Sequence, residues 1–223
     1  MRKFFEIGGL VAAAVLIVFG VVAIVMGFNG RSTVNNSLKQ EQIVGTPDMT
    51  PAAISAEATK AKLNVSNLPI PTCTVANKAV TDGATARCFA QYMRIHTLDA
   101  TGGYVYSQMG IYTAAPNAPK SQLMPGGGTD NVKYAQIDST TKQPVSNGSR
   151  NIWVTYTALT TALNSSYMAS QLALFGIVVG FALLLTGIGF AILAIGGALR
   201  NPDTALTWFK KDKPSAVKPL PTT

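Results

Sequence analysis

One histidine, seven carboxylates and two cysteines are the acid–base, metal-ligating and redox side chains between Asn29 and Ser170 of this chain. His96 is the only histidine, so a site with several imidazoles cannot be built from one copy, and Ser-His-Asp catalysis would have to use this residue. Asp99 follows three residues later, a spacing that puts both side chains on one face of a helix. That pair falls far short of a metal signature. The expected state is a solvated or locally hydrogen-bonded histidine, with pH sensing as the functional alternative. The acids are Glu41, Asp48, Glu57, Asp82, Asp99, Asp130 and Asp138, and no motif brings two of them together as a hydrolytic pair. Gly126-Gly127-Gly128 lies in a proline-rich stretch without a following Gly-Lys-Ser, so it reads as a flexible loop and not as a phosphate cradle. Cys73 and Cys88 lack the C-x-x-C spacing of a redox pair and are expected to form a disulfide in an oxidising compartment. Closing a loop of that length contributes about 3 kcal/mol in the chain-entropy view. No catalytic residue, cofactor or metal is expected, and the chain reads as non-enzymatic.

The elements that would position these residues are set by two apolar runs. Ile7 to Phe28 carries no charge, nor does Leu172 to Leu199, and each exceeds the roughly 20 residues needed to cross a bilayer. A composition of 48% hydrophobic and 13% charged residues agrees with a membrane chain. The expected organisation is an N-terminus at 1–6, a transmembrane helix at 7–28, an extracytoplasmic domain at 29–170, a second transmembrane helix at 171–199 and a basic tail at 200–223. Arg2 and Lys3 precede the first span, and Arg200, Lys210, Lys211, Lys213 and Lys218 follow the second. On the domain side only Arg31, Lys39 and Arg150 lie close. That asymmetry places both termini in the cytoplasm. A cleaved signal peptide is the alternative for the first run, but the run exceeds the usual h-region of about 7–15 residues, and no small-x-small site follows it. The middle segment carries 11 Lys or Arg against 7 Asp or Glu, a balance of +4 spread along its length, and calls for no nucleic acid.

Within the domain, Thr50-Pro51 opens an alanine-rich helix to Leu63. A second helix starts near Asp82-Gly83, with Cys88, Tyr92, Ile95 and Asp99 on one stripe. Gly102-Gly103 either ends it or marks a close helix contact, and residues 103–137 are left open between helix and strand. Val132 to Ile137 alternates as a strand would, and Gln143 to Gly148 reads as a turn. From Ser149, Ile152, Tyr156, Leu159, Leu163 and Tyr167 recur at helical spacing without a glycine or proline before Gly176. That helix is expected to continue into the second span. The fold expectation is therefore mainly α, with two transmembrane helices bracketing a mostly helical extracytoplasmic domain. Gly176, Gly180 and Gly187 are helix-packing candidates, either between the two spans or against another membrane protein. Trp208 and Phe209 beside Lys210, Lys211 and Lys213 have the composition of a membrane-interface anchor. Four Asn-x-Ser triplets, at Asn35, Asn64, Asn147 and Asn164, matter only in a cell that glycosylates them.

Gly45-Thr46-Pro47-Asp48-Met49-Thr50-Pro51, Ala86 through His96, and Asn151-Ile152-Trp153-Val154-Thr155 leading to Leu174 through Gly180 together resemble a family of actinobacterial double-pass membrane proteins. Members sometimes carry the label aromatic ring-opening dioxygenase. Such enzymes hold non-haem iron with histidines and a carboxylate, and one histidine is too few. Double-pass proteins similar in build occur as accessory subunits around actinobacterial respiratory supercomplexes of the cytochrome bcc–aa3 type. The lack of chemistry, the glycine-bearing spans and the helix expected to run into the second span lead to the expectation of a non-catalytic accessory or assembly subunit of an envelope complex, with the lipid bilayer and other membrane proteins as partners, and the similarity of build suggests a respiratory one. An extracytoplasmic sensor or ligand-binding module is the alternative.

Overall fold

The computed structural model of this chain describes residues 2–63 and 68–196. It is mainly helical, with α1 at Arg2–Gln40, α2 at Pro51–Lys60, α3 at Gly83–Ala100 and α4 at Gly148–Ile195. Two compact units divide between Phe28 and Asn29 and again between Ala173 and Leu174.

The first unit pairs the apolar parts of α1 and α4. Both helices are long and apolar enough to cross a membrane, and only 11% and 22% of their most apolar windows is buried. Phe19, Phe175 and Leu185 stand exposed along them. The seam between them is made by small residues. A methyl group on Gly20 would fall 2.7 Å from the Leu184 backbone nitrogen, and one on Gly180 would fall 2.8 Å from the Gly20 carbonyl oxygen.

The second unit is built by locally encoded helix ends around one core. Thr50 caps α2, its hydroxyl accepting from the Ala53 N–H at 3.3 Å with Pro51 in the first turn. Asp82 caps α3 by accepting from the Thr85 N–H at 2.8 Å, while the Thr85 hydroxyl accepts from the Asp82 N–H. Gly102 and Gly103 take φ of +64° and +84°, and the Gly103 N–H closes on the Leu98 carbonyl, so the glycine pair ends α3. Ile54 and Ala58 of α2 and Phe89, Tyr92 and Ile95 of α3 meet Leu38 of α1 and Trp153 and Leu163 of α4 in a single buried cluster.

Three sequence expectations change. The first helix does not end with the apolar run at 7–28 but continues to Gln40; Leu38 is buried and Val34, one turn earlier, packs on the same core. Val132 to Ile137 is not a strand. Its first part is a 3-10 turn, Val132–Tyr134, started by the Asn131 side chain accepting from the Lys133 N–H, and only Ala135 and Ile137 form isolated bridges. Gln143 to Gly148 is not a turn either, since Pro144 and Ser146 bridge to Ile137 and Tyr112. The turn lies just before, where Asp138 accepts from the Thr140 and Thr141 N–H groups. Residues 101–147 are thus irregular chain held by single bridges. Asn147 fastens them, donating to the Gly110 carbonyl at 2.9 Å while its carbonyl accepts from the Ser149 N–H at the start of α4.

Candidate functional site

His96 reaches from α3 to α2 and to the turn that precedes α2. Its Nδ1 lies 2.9 Å from Glu57 Oε1 and its Nε2 3.6 Å from Asp48 Oδ2. An ionised Glu57 can only accept, so Nδ1 carries the proton in that bond. Nε2 is then left with no hydrogen-bond partner although solvent does not reach it. An unsatisfied buried polar atom costs about 1–3 kcal/mol, so the site is incompletely satisfied as it stands. The three ligand-type atoms lie within 4.8 Å of one another. Two carboxylates around one imidazole make the cluster electronegative. It is half-buried at His96 and Glu57 and open to solvent at Asp48, whose side chain is 45% exposed.

The geometry is held from three directions. Glu57 sits on α2 and His96 on α3, two helices that pack together. Asp48 sits on a turn closed by the Met49 N–H to the Thr46 carbonyl. That turn is strapped by the segment Cys73–Val80: the Thr74 hydroxyl and the Val75 N–H both donate to the Met49 carbonyl, and the Gly45 N–H donates to the Lys78 carbonyl. A side chain on Gly45 would collide with the Val75 carbonyl, so glycine is needed where the two backbones cross. The strap is fastened to α3 twice, by the Cys73–Cys88 disulfide with its Cα atoms 6.1 Å apart and by the Tyr92 hydroxyl donating to the Cys73 carbonyl. The disulfide and the buried tyrosine therefore help set where Asp48 lies relative to His96.

A second feature is an apolar groove of about 820 Å³ lined by Val105, Tyr106, Trp153, Val154 and Ala158, with Arg94 at its edge. Trp153 forms its floor. The indole N–H donates to the Tyr104 carbonyl at 2.8 Å, the ring meets Tyr156 edge-on at 5.1 Å, and the Arg94 guanidinium lies 5.2 Å from its centroid. Arg150 stacks over Tyr106 at 4.1 Å. Tyr106 and Val154 are exposed on the groove's rim.

Several residues singled out in the sequence have different partners from those expected. Asp99 is exposed, not part of the buried stripe of α3, and His96 is paired with Glu57 and Asp48 in its place. Most other carboxylates have structural work: Asp82 caps α3, Asp138 holds a turn, and Asp130 accepts from the Ile111 N–H and lies 3.4 Å from Arg150. Gly180 and Gly187 face α1, the latter with Ile17 Cγ1 2.8 Å from where a methyl group would be; Gly176 is looser, 3.9 Å from the Ala23 carbonyl oxygen. Trp208, Phe209, Lys210, Lys211 and Lys213 lie outside the described residues. The grouping of Asp48, Glu57 and His96 had no signal in the sequence beyond the presence of the three residues, because Asp48 and Glu57 precede His96 by 48 and 39 positions. No protein-family model matches this chain, and neither does any curated protein or solved structure.

Proposed function

We propose that this protein is a non-catalytic accessory or assembly subunit of a larger membrane complex of the cell envelope. Both termini lie in the cytoplasm and the domain at 29–170 lies outside it.

The observation that carries the proposal is the groove around Trp153. Aromatic and arginine side chains grouped about an apolar floor are the composition of protein–protein hot spots, and here Trp153, Tyr106 and Arg94 are so grouped. Further features support it. The lipid-compatible helices supply an anchor, and the seven-to-three cation asymmetry about the spans favours the stated orientation. The Cys73–Cys88 bond suits an oxidising exterior. The sequence resemblance points to a respiratory supercomplex as the partner.

Purification from membranes in a mild detergent, through a C-terminal tag, is expected to recover a stoichiometric set of integral membrane proteins. Val154→Asp places a charge on the exposed rim of the groove. It is expected to reduce that recovery at least about tenfold, as a charge desolvated without a partner costs several kcal/mol, while the chain itself accumulates normally. Recovery of free monomer alone from wild type, or undiminished recovery with Val154→Asp, would overturn the assignment.

A further inference from the structure

We propose that Asp48, Glu57 and His96 form a binding site for a first-row divalent cation such as Zn²⁺, with Asp48 Oδ2 and His96 Nε2 as direct ligands and Glu57 orienting the imidazole. The site does not depend on whether the chain is an accessory subunit.

Four observations converge on it. Glu57 Oε1 is 2.9 Å from Nδ1 and fixes the ring's orientation and tautomer, which leaves the Nε2 lone pair directed away from it. This carboxylate–imidazole arrangement is the usual support behind a metal-bound histidine. Nε2 is buried and has no hydrogen-bond partner, a condition that a bound cation would relieve. Asp48 Oδ2 faces it at 3.6 Å, beyond the reach of a hydrogen bond. Two donors about 2.0–2.2 Å from one tetrahedral Zn²⁺ are themselves about 3.3–3.6 Å apart. The observed gap is therefore close to that of two ligands sharing an ion. Finally, the Asp48 side chain is 45% exposed, so the carboxylate side of the gap is open to solvent.

The donor chemistry selects the cation class. An imidazole nitrogen beside carboxylate oxygen suits Zn²⁺ and its neighbours. Ca²⁺ takes six to eight oxygen ligands and Mg²⁺ an octahedron of oxygens, neither of which this cluster supplies. Bound there, the ion would join the 46–49 turn to α3 and reinforce the strap made by residues 73–80.

The test uses the full-length protein in detergent micelles without a polyhistidine tag. Co²⁺ is titrated while its visible absorption is followed, and Zn²⁺, Mg²⁺ and Ca²⁺ are added as competitors. Saturation at one Co²⁺ per chain is expected, with displacement by Zn²⁺ but not by an excess of Mg²⁺ or Ca²⁺. His96→Gln and Asp48→Asn should each weaken binding by at least about tenfold, and Glu57→Gln by about 10–100-fold, as for other residues that orient a metal-bound histidine. Asp99→Asn should bind like wild type. Asp48 lies on an exposed turn, so its variant remains informative if His96→Gln does not fold. Absence of saturable Co²⁺ binding by wild type, or wild-type affinity in Asp48→Asn, overturns the site.

Discussion

At the scale of single residues, Tyr92 shows how a core position is tied to the rest of the site. The side chain is fully buried, and its hydroxyl donates to the Cys73 carbonyl beside the disulfide. Burial pushes the phenol above its ordinary value of 10.0. The folded state thus favours the neutral form more strongly than the unfolded chain does. The stability this contributes is fully present below pH 10 and is lost as pH rises through the higher folded value. Tyr92→Phe is expected to flatten that alkaline loss. At neutral pH it should cost about 1 kcal/mol for the removed hydrogen bond. Urea unfolding at pH 7 and at stepped values above pH 10 measures both effects, and an unchanged alkaline slope in the variant would refute the assignment to Tyr92.

At the scale of elements, the strap at 73–80 is the piece whose loss should propagate furthest. It joins α3 through Cys88 and Tyr92, and it holds the Asp48 turn through the Met49 and Gly45 backbones. Reducing the disulfide, or replacing both cysteines by alanine, frees a loop whose closure is worth about 3 kcal/mol. A drop of that size is expected in equilibrium unfolding of the full chain with and without reductant, and equal stability in the two conditions would count against it. The helix starts beside the strap were legible in advance: Thr50-Pro51 is a local capping signal and the second start was read near Asp82-Gly83, and each cap is satisfied within three residues. The irregular chain from 101 to 147 was legible only in part. The glycine- and proline-rich stretch around Gly126 read as loop, but the alternation from Val132 to Ile137 suggested a strand, whereas the backbone groups are met by single bridges and by the Asn147 and Asp138 side chains. Those partners are distant or compete with local pairing, which periodicity does not register.

For the molecule as a whole, the two apolar helices and their seam matter most. Gly20 and Gly180 bring the backbones of α1 and α4 so near that neither has room for a side chain. In lipid such close approach, and not an aqueous hydrophobic effect, drives helix association. Gly180→Leu is therefore expected to separate the spans. It should lower the thermal midpoint of the detergent-solubilised protein by several degrees, as a loss of about 1–3 kcal/mol would do. Gly189→Leu is the control, since nothing lies within 4 Å of that position. Equal midpoints for the two variants would show that the seam does not depend on Gly180.

The sequence by itself determined the two apolar helices, the starts of α2 and α3 and the candidates for the disulfide, because charge exclusion, capping and cysteine count are read from neighbouring residues. It also contained every member of the Asp48, Glu57 and His96 cluster, but as scattered polar positions. Only the tertiary structure decided that these three converge, that Asp99 does not join them and that α1 extends to Gln40. Those outcomes depend on contacts between segments far apart in the chain, where packing of α2 on α3 and the strap across the turn fix distances that no local pattern encodes.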